Sequence, residues 1–359
     1  MIPHPSFAED PWSLVETDLD LDVLAQSESV FTLSNGHIGV RGNLDEGEPQ
    51  GLPGTYMNAV YETRPLPYAE SGYGYPEAGE TIINVVNGKI VRLLVDDEPF
   101  DVRYGKLVTH RRRLDFRTGL LQRDAEWQSP AGRTVRVSST RLVSFAERAV
   151  MAIAYEVEPV DGPTSVVVQS ELVANEPVPA EIGDPRAGAA LDSVLQPEHN
   201  GHEALRAGLL HSTRASGLRV AAAMDHIIEG PDAIQTRIQS EPDLARLSIA
   251  AELRPGQRLR MIKLVAYGWS SVRSIPALRD QVQGALSAAR LRGWDRLVGD
   301  QRAYLDDFWD RADVEIEGDA EIQQAVRFGL FQVLQAAARA ERRAVPAKGL
   351  TGTGYDGPT

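Results

Sequence analysis

From about residue 30 to residue 267, apolar positions recur every second residue in short runs broken by turn residues. Residues 132–145, GRTVRVSSTRLVSF, place Val135, Val137, Ser139, Arg141, Val143 and Phe145 on one face of a strand. Residues 148–158, RAVMAIAYEVE, are apolar almost throughout, the pattern of a strand covered on both faces. Ser129-Pro130-Ala131-Gly132 and Asp161-Gly162-Pro163 supply turn chemistry between the runs. Residues 245–253 and 257–268 flank Arg254-Pro255-Gly256, which reads as a hairpin-like join. Asp96-Asp97-Glu98-Pro99 reads as a turn between strands at 90–95 and 100–104. Many strands with no helices between them predict a large antiparallel sandwich of two sheets, with no parallel β-α-β unit. Residues 44–54, 64–80 and 176–202 are rich in Pro, Gly and acids and read as loops.

After Gly268 the period changes. Residues 271–291 are helix-like, with Pro276 limiting where that helix starts. In residues 292–313, Trp294, Leu297, Val298, Leu305, Phe308 and Trp309 follow helical spacing. A third helix is expected after Asp319 as its N-cap, with Glu321 suiting the helix dipole. Its apolar stripe would be Ile322, Val326, Leu330, Val333 and Leu334, and it should end near Ala344, before Val345-Pro346. The order is therefore a β-sandwich over 1–268, a helical linker over 269–317 and the opening of a helical domain over 318–359. One helix and a loop do not bury that third stripe, so another chain or further polypeptide is expected to cover it.

Composition narrows the function classes. The formal net charge is −14, from 37 basic and 51 acidic residues, and the basic run Arg111-Arg112-Arg113 reads as a solvated strand face. A nucleic-acid partner is not expected from this balance. No apolar stretch approaches the ~20 residues of a membrane span. The acidic, Pro-punctuated N-terminus shows no signal-peptide pattern, which together with the absence of cysteine fits a cytoplasmic protein. With no cysteine there is neither thiolate metal site nor cysteine nucleophile.

Few motifs carry chemistry. Residues 352–357 match G-x-G-x-x-G, but a helix precedes the match and only two residues follow, so the dinucleotide fingerprint is rejected. His199 and His202 stand three apart in what reads as a polar loop, with no third ligand nearby, so no metal site is expected. The acidic clusters Asp45, Glu46 and Glu48, Asp96 to Glu98, and Asp306 and Asp307 read as solvated. The block 31–43 is different. It packs three glycines and an arginine around two short strands, which implies a tight, constrained corner.

That block carries a resemblance. Phe31, Asn35-Gly36, Gly39 and Arg41-Gly42 resemble the signature of glycoside hydrolase family 65. Residues 55–62, 113–116, 127–133 and 139–145 follow in the family's order, and Gly349-Leu350-Thr351-Gly352 with Gly354-Tyr355 and Gly357 resembles the loop after its first barrel helix. The resemblance implies a β super-sandwich, a helical linker and the first helix of an (α/α)6 barrel that is otherwise missing. It implies inverting phosphorolysis or hydrolysis of α-linked glucose disaccharides such as maltose or trehalose, with inorganic phosphate as co-substrate of a phosphorylase and no other cofactor. A homodimer is expected for the intact enzyme. In the family the terminal loop leads on to a Trp-Asp pair and, much later, to the catalytic glutamate, whereas Gly357 is followed here by Pro358 and Thr359. No catalytic residue is therefore assigned. Tyr355, Asp356 and Gly357 would lie near the pocket rim, while Asn35, Gly36, Gly39, Arg41 and Gly42 would be structural, with Arg41 held by a carboxylate or by backbone carbonyls. The competing expectations are a non-catalytic carbohydrate-binding or assembly sandwich, for which Tyr68, Tyr73 and Tyr75 are the aromatic candidates, and one half of a split enzyme.

Overall fold

A computed structural model describes residues 4–65, 78–177, 191, 193–346 and 348–352. Among these, strands form sheets of ten, five, three and two members, and every pairing is antiparallel. The ten-stranded sheet runs from Phe7–Ala8 and Ser13–Glu16 through Lys106–Asp115, Leu120–Gln128, Thr134–Val143 and Val150–Pro159. It continues through Leu259–Ser270, Arg219–Glu229 and Arg206–Thr213 to the edge strand Leu195–Glu203. The five-stranded sheet is centred on Thr164–Val173, flanked by Leu244–Leu253 and Val91–Val95. The fold is the large antiparallel sandwich that the period-two pattern predicts.

Alternation explains how the sheets face each other. Val91, Leu93, Val166, Val168, Leu247 and Ile249 of the smaller sheet meet Trp127, Val135, Val137, Tyr155 and Met261 of the larger one. Each fully buried Val, Leu or Ile there contributes about 1.5–3 kcal/mol relative to leaving it exposed.

The Arg254-Pro255-Gly256 join is not a hairpin. Leu244–Leu253 pairs with Thr164–Val173 in the smaller sheet, whereas Leu259–Ser270 pairs with Val150–Pro159 in the larger. Successive apolar runs here lie on opposite layers, a relation that periodicity does not encode. Residues 101–105 form a turn, and only Phe100 of the expected 100–104 strand is buried, against Trp127. Residues 195–203 are an edge strand, not loop, because backbone pairing with Arg206–Thr213 overrides their polar composition.

The helices are α1 (Leu24–Val30), α2 (Ile275–Arg292), α3 (Trp294–Ala312) and α4 (Ala320–Ala337). Ser274 caps α2, accepting from the Ala277 amide at 3.4 Å, and Arg290 and Arg292 stand in its last turn, where cations favour the dipole. Leu278, Val282 and Leu286 of α2 cover the outer face of the larger sheet at Ile262, Leu264 and Ala266. This layer is why residues 150–153 are buried on both faces. Helix α3 buries Leu297, Gln301, Leu305 and Trp309, one residue per turn. The Trp309 indole donates to the Phe116 carbonyl at 2.8 Å.

Helix α4 departs from expectation in two ways. It ends at Ala337, about two turns before Ala344, where the Arg339 amide turns back to donate to the Asn35 carbonyl at 2.6 Å. It also buries a largely polar face, Gln323, Gln324, Arg327, Phe331 and Gln335, leaving Ile322 and Val333 exposed. Gln324 donates to the Ser13 carbonyl at 2.6 Å, Gln335 accepts from the Ser34 amide at 2.7 Å, and Arg327 pairs with Asp313 at 2.7 Å. Phe331 is fully buried, and Phe328, Leu330 and Leu334 pack against the same core, so apolar contact and these hydrogen bonds together hold the docked face.

Two solvated readings are overturned. Asp45 and Glu46 are each only 3% exposed, because their loop turns inward over the larger sheet and meets Arg123 and Arg141. Arg112, the middle of the Arg run, points inward and pairs with Glu16 at 2.6 Å. Inside-outside alternation separates it from the exposed Arg111.

Candidate functional site: the corner at residues 35–42

The corner is assembled from Leu33–Ser34, Ile38–Val40 and Thr55–Met57, packed beneath α4 and the 348–352 loop. Asn35 is its hub. Its Nδ2 donates to the carbonyls of Ser144 at 2.7 Å and Arg148 at 3.0 Å, and its Oδ1 accepts from the amides of His37 and Ile38, both at 2.9 Å. Gly36 has φ +84°, and a Cβ there would lie 2.9 Å from the Ala336 carbonyl oxygen at the end of α4. A Cβ on Gly39 would overlap the Leu350 Cβ and lie 2.5 Å from the Leu350 carbonyl oxygen. These two glycines are thus required by backbone approaching from more than 290 positions away in the chain.

Arg41 is almost wholly buried. Its Nη1 donates to the Thr351 carbonyl at 2.7 Å, and its Nη2 donates to the Ala25 carbonyl at 2.8 Å, 3.6 Å from the Glu28 carboxylate. Glu28 in turn accepts from the Gly51 and Leu52 amides at 2.9 and 3.1 Å. Gly42 receives the Arg112 guanidinium on its carbonyl at 2.8 Å. Asn58 ties the Gly36 and Ala344 carbonyls together at 2.9 and 3.1 Å.

Beneath the corner lies a layer of buried charge. Asp45 accepts from Arg141 at 2.8 Å and from the Ser139 hydroxyl at 2.6 Å. Burial pushes its carboxyl up, but Arg141 and Arg123 outweigh this and hold it below the usual carboxylate range. Lys263 donates to the Glu171 carbonyl at 2.7 Å, and burial pulls its ammonium down to about 7. Burial likewise brings Lys89 down to about 8. Neither lysine is more than 1% exposed, so neither faces a substrate-sized space.

Substituting Gly39 by alanine is expected to push the 348–352 loop off the corner, at a cost of about 1–3 kcal/mol from overpacking. Trypsin cleavage after Lys348 should accelerate in that variant. An unchanged rate would show that the loop accommodates the methyl group.

Tyr355, Asp356 and Gly357 lie outside the described residues, as do Tyr68, Tyr73 and Tyr75. His199 and His202 are exposed on the edge strand and line a cleft of about 540 Å³ with Arg206, Arg279 and Gln283, on the side of the larger sheet that α2 borders. The structure does not bring them to the corner. Among the described residues no group of three or more His, Asp or Glu side chains is placed to hold a metal. Sequence reasoning missed a second cavity beside the corner, lined by His37, Arg148, Trp269 and Arg343. Its members come from four distant segments with no mutual spacing to detect.

Comparison with known proteins agrees with this architecture. The profile described as Glycosyl hydrolase family 65, N-terminal domain, matches residues 14–308. An uncharacterized glycosyl hydrolase of Mycobacterium tuberculosis (strain ATCC 25618 / H37Rv) is 62% identical over 357 residues, 99% of this chain and 45% of that protein. The α,α-trehalose phosphorylase of Thermoanaerobacter brockii is 31% identical over 358 residues, covering 98% and 46% respectively. A solved structure from human microbiome, assigned provisionally as a kojibiose phosphorylase, superposes with a TM-score of 0.86 at 24% identity, over 98% of this chain and 45% of the other. The chain spans about half the length of the curated relatives it matches. No helix among the described residues is long and apolar enough to cross a membrane. The profile and these relatives show that the chain belongs to glycosyl hydrolase family 65.

Proposed function

We propose that this chain is the non-catalytic N-terminal part of an inverting phosphorylase that cleaves an α-linked glucose disaccharide. The observation that carries the reading is similarity to an α,α-trehalose phosphorylase over 98% of this chain. In the proposed division, residues 1–268 are the sandwich, 269–317 the linker, and 318–359 the opening of the catalytic barrel. Asn35, Gly36, Gly39, Arg41 and Gly42 clamp sandwich to barrel, and Tyr355, Asp356 and Gly357 belong to the pocket rim. The intact enzyme works as a homodimer.

An inverting reaction needs a proton donor on the glycosidic oxygen and a nucleophile on the opposite face of the sugar. Phosphate acts as that nucleophile, replacing the base-activated water of a hydrolase. The glycosidic bond breaks as the phosphate oxygen–carbon bond forms, so an α-linked substrate gives β-glucose 1-phosphate and glucose. Placing donor and nucleophile contributes about 7–11 kcal/mol when the framework holds both. The carboxylates of the corner do not fill these roles, because Asp45, Glu46 and Glu28 are buried and engaged by arginines or backbone amides.

Incubation of the intact enzyme with α,α-trehalose, maltose and kojibiose, with and without phosphate, tests this. Phosphate-dependent release of glucose 1-phosphate is expected from one of them, with none from the 359-residue chain alone. Equal sugar release without phosphate would make the enzyme a hydrolase, and turnover by the isolated chain would overturn the division of labour.

A further inference from the structure

A cavity of about 330 Å³ opens where the corner, the end of strand Leu259–Ser270, the start of α2 and the segment after α4 converge. His37, Arg148, Trp269, Arg273, Gln281 and Arg343 line it. Arg148, Arg273 and Arg343 bring three guanidiniums to it, and a fourth, Arg339, donates to the Phe145 and Ala146 carbonyls and adds its charge near His37. Among the described residues a single carboxylate, Glu341, pairs with any of them, at 3.2 Å from Arg148 and 3.7 Å from Arg339, and it is 52% exposed. Arg343 makes no ion pair among the described residues, and its guanidinium lies over the Trp269 ring, 4.5 Å from the centroid. The Trp269 indole is fixed by donating to the Asn58 carbonyl at 3.1 Å.

A positive cluster is unexpected in a chain of formal net charge −14. Guanidiniums left without matching carboxylates attract anions, and their planar forks suit oxygen pairs on a phosphate or carboxylate. A second observation points the same way. His37 lines the cavity, is only 5% exposed, and its Nδ1 has no hydrogen-bond partner. Unpartnered buried polar atoms are costly, so they mark places where a partner belongs. Burial first, then the charges of Arg148, Arg343 and Arg339, bring this imidazole down to about 3, and it stays neutral at ordinary pH. A neutral ring beside the guanidiniums adds no charge of its own.

We propose that this cavity is a binding site for a small oxyanion, a phosphate or carboxylate group held by Arg148 and Arg343 with His37 beside them. The proposal does not rest on the reaction assigned above, since the cavity is built from residues of the sandwich, the linker and the segment after α4. An anion here would tie these three parts together through the same arginines that otherwise repel one another.

Calorimetric titration of the protein with inorganic phosphate, at constant ionic strength in chloride, tests the site. One phosphate per chain is expected, with a change in tryptophan fluorescence as the Arg343–Trp269 stack responds. Arg148→Gln and Arg343→Gln should each weaken binding at least about tenfold, while the exposed Arg302→Gln should leave it unchanged. Arg148 also holds the Arg339 carbonyl at 3.0 Å, so its variant could lose structure. Arg343→Gln removes only the stacked guanidinium, and an unaltered melting temperature in chloride keeps it informative. A parallel titration with acetate separates the sources. Binding of acetate as tight as that of phosphate assigns the site to a carboxylate, and tighter phosphate assigns it to a phosphoryl group. Absence of binding by either up to about 10 mM, or binding that both variants leave intact, overturns the proposal.

Discussion

Replacing Asp45 with alanine is expected to destabilise the fold by about 3–5 kcal/mol, the cost of stranding a buried cation. Asp45 sits between Arg141 at 2.8 Å and Arg123 at 3.6 Å, and it accepts the Ser139 hydroxyl at 2.6 Å. Without it, Arg141, only 3% exposed, keeps only the Arg41 and Asn43 carbonyls, each at 3.3 Å. Those carbonyls belong to the corner, so the damage should spread there. Asp45→Asn retains an acceptor for Ser139 and loses only the charge, so it should fall between wild type and alanine. Urea unfolding monitored by tryptophan fluorescence measures all three. A loss below about 1 kcal/mol for alanine would mean that the guanidinium finds water or a new partner.

The second large effect is a pH dependence centred on Glu16. This carboxylate is buried among His110 at 2.8 Å and Arg112 at 2.6 Å. Burial raises its pKa, but the His110 hydrogen bond and the Arg112 charge outweigh burial and hold it at about 2, against 4.5 unperturbed. The folded state therefore binds this proton less readily than the unfolded state. The contribution is fully present above pH 4.5 and is lost as pH falls toward 2, amounting to about 3 kcal/mol. His110 acts in the same direction. Burial lowers its pKa below 6.5, so the unfolded chain takes up its proton first as pH falls. Glu16→Gln should cost most near neutral pH, where Arg112 loses its counter-ion, and should converge with wild type near pH 2. Unfolding free energies measured at pH 7, 4.5 and 3 will show the narrowing gap, and a constant gap would contradict it.

Each prediction involves a charge that local pattern assigned to solvent, Asp45 in the first and Arg112, the partner of Glu16, in the second. The acidic run Asp45, Glu46 and Glu48 looks like any exposed turn, and Arg112 sits within a run of three arginines. Whether such residues face water depends on strand register and on which loop folds over which sheet. The Asp45 loop lies across Thr134–Val143, a strand nearly a hundred residues later, and only that pairing supplies Ser139 and Arg141. The corner was more legible. Three glycines and an arginine within eight residues announce a constrained backbone. The atoms that constrain it, at Ala336, Leu350 and Thr351, come from the far end of the chain.

The sequence by itself determined the class of every well-patterned element. Period-two alternation determines strands, because successive side chains leave opposite faces of a pleated backbone. Helical periodicity after Gly268 determines α2 and α3. Both are local relations, and they survive without knowledge of the partner surface. Tertiary structure decided the rest. It chose which layer each strand joins, so the Arg254-Pro255-Gly256 turn crosses between sheets. It chose the docked face of α4, where Gln324 and Gln335 meet the Ser13 carbonyl and the Ser34 amide beside the buried Phe331. It gathered Arg148, Arg343 and His37 around one cavity from segments with no shared spacing. Local pattern reports how a residue sits on its own element, whereas burial of charge and assembly of a site depend on which distant elements meet, and that is set by the energy of the whole packing.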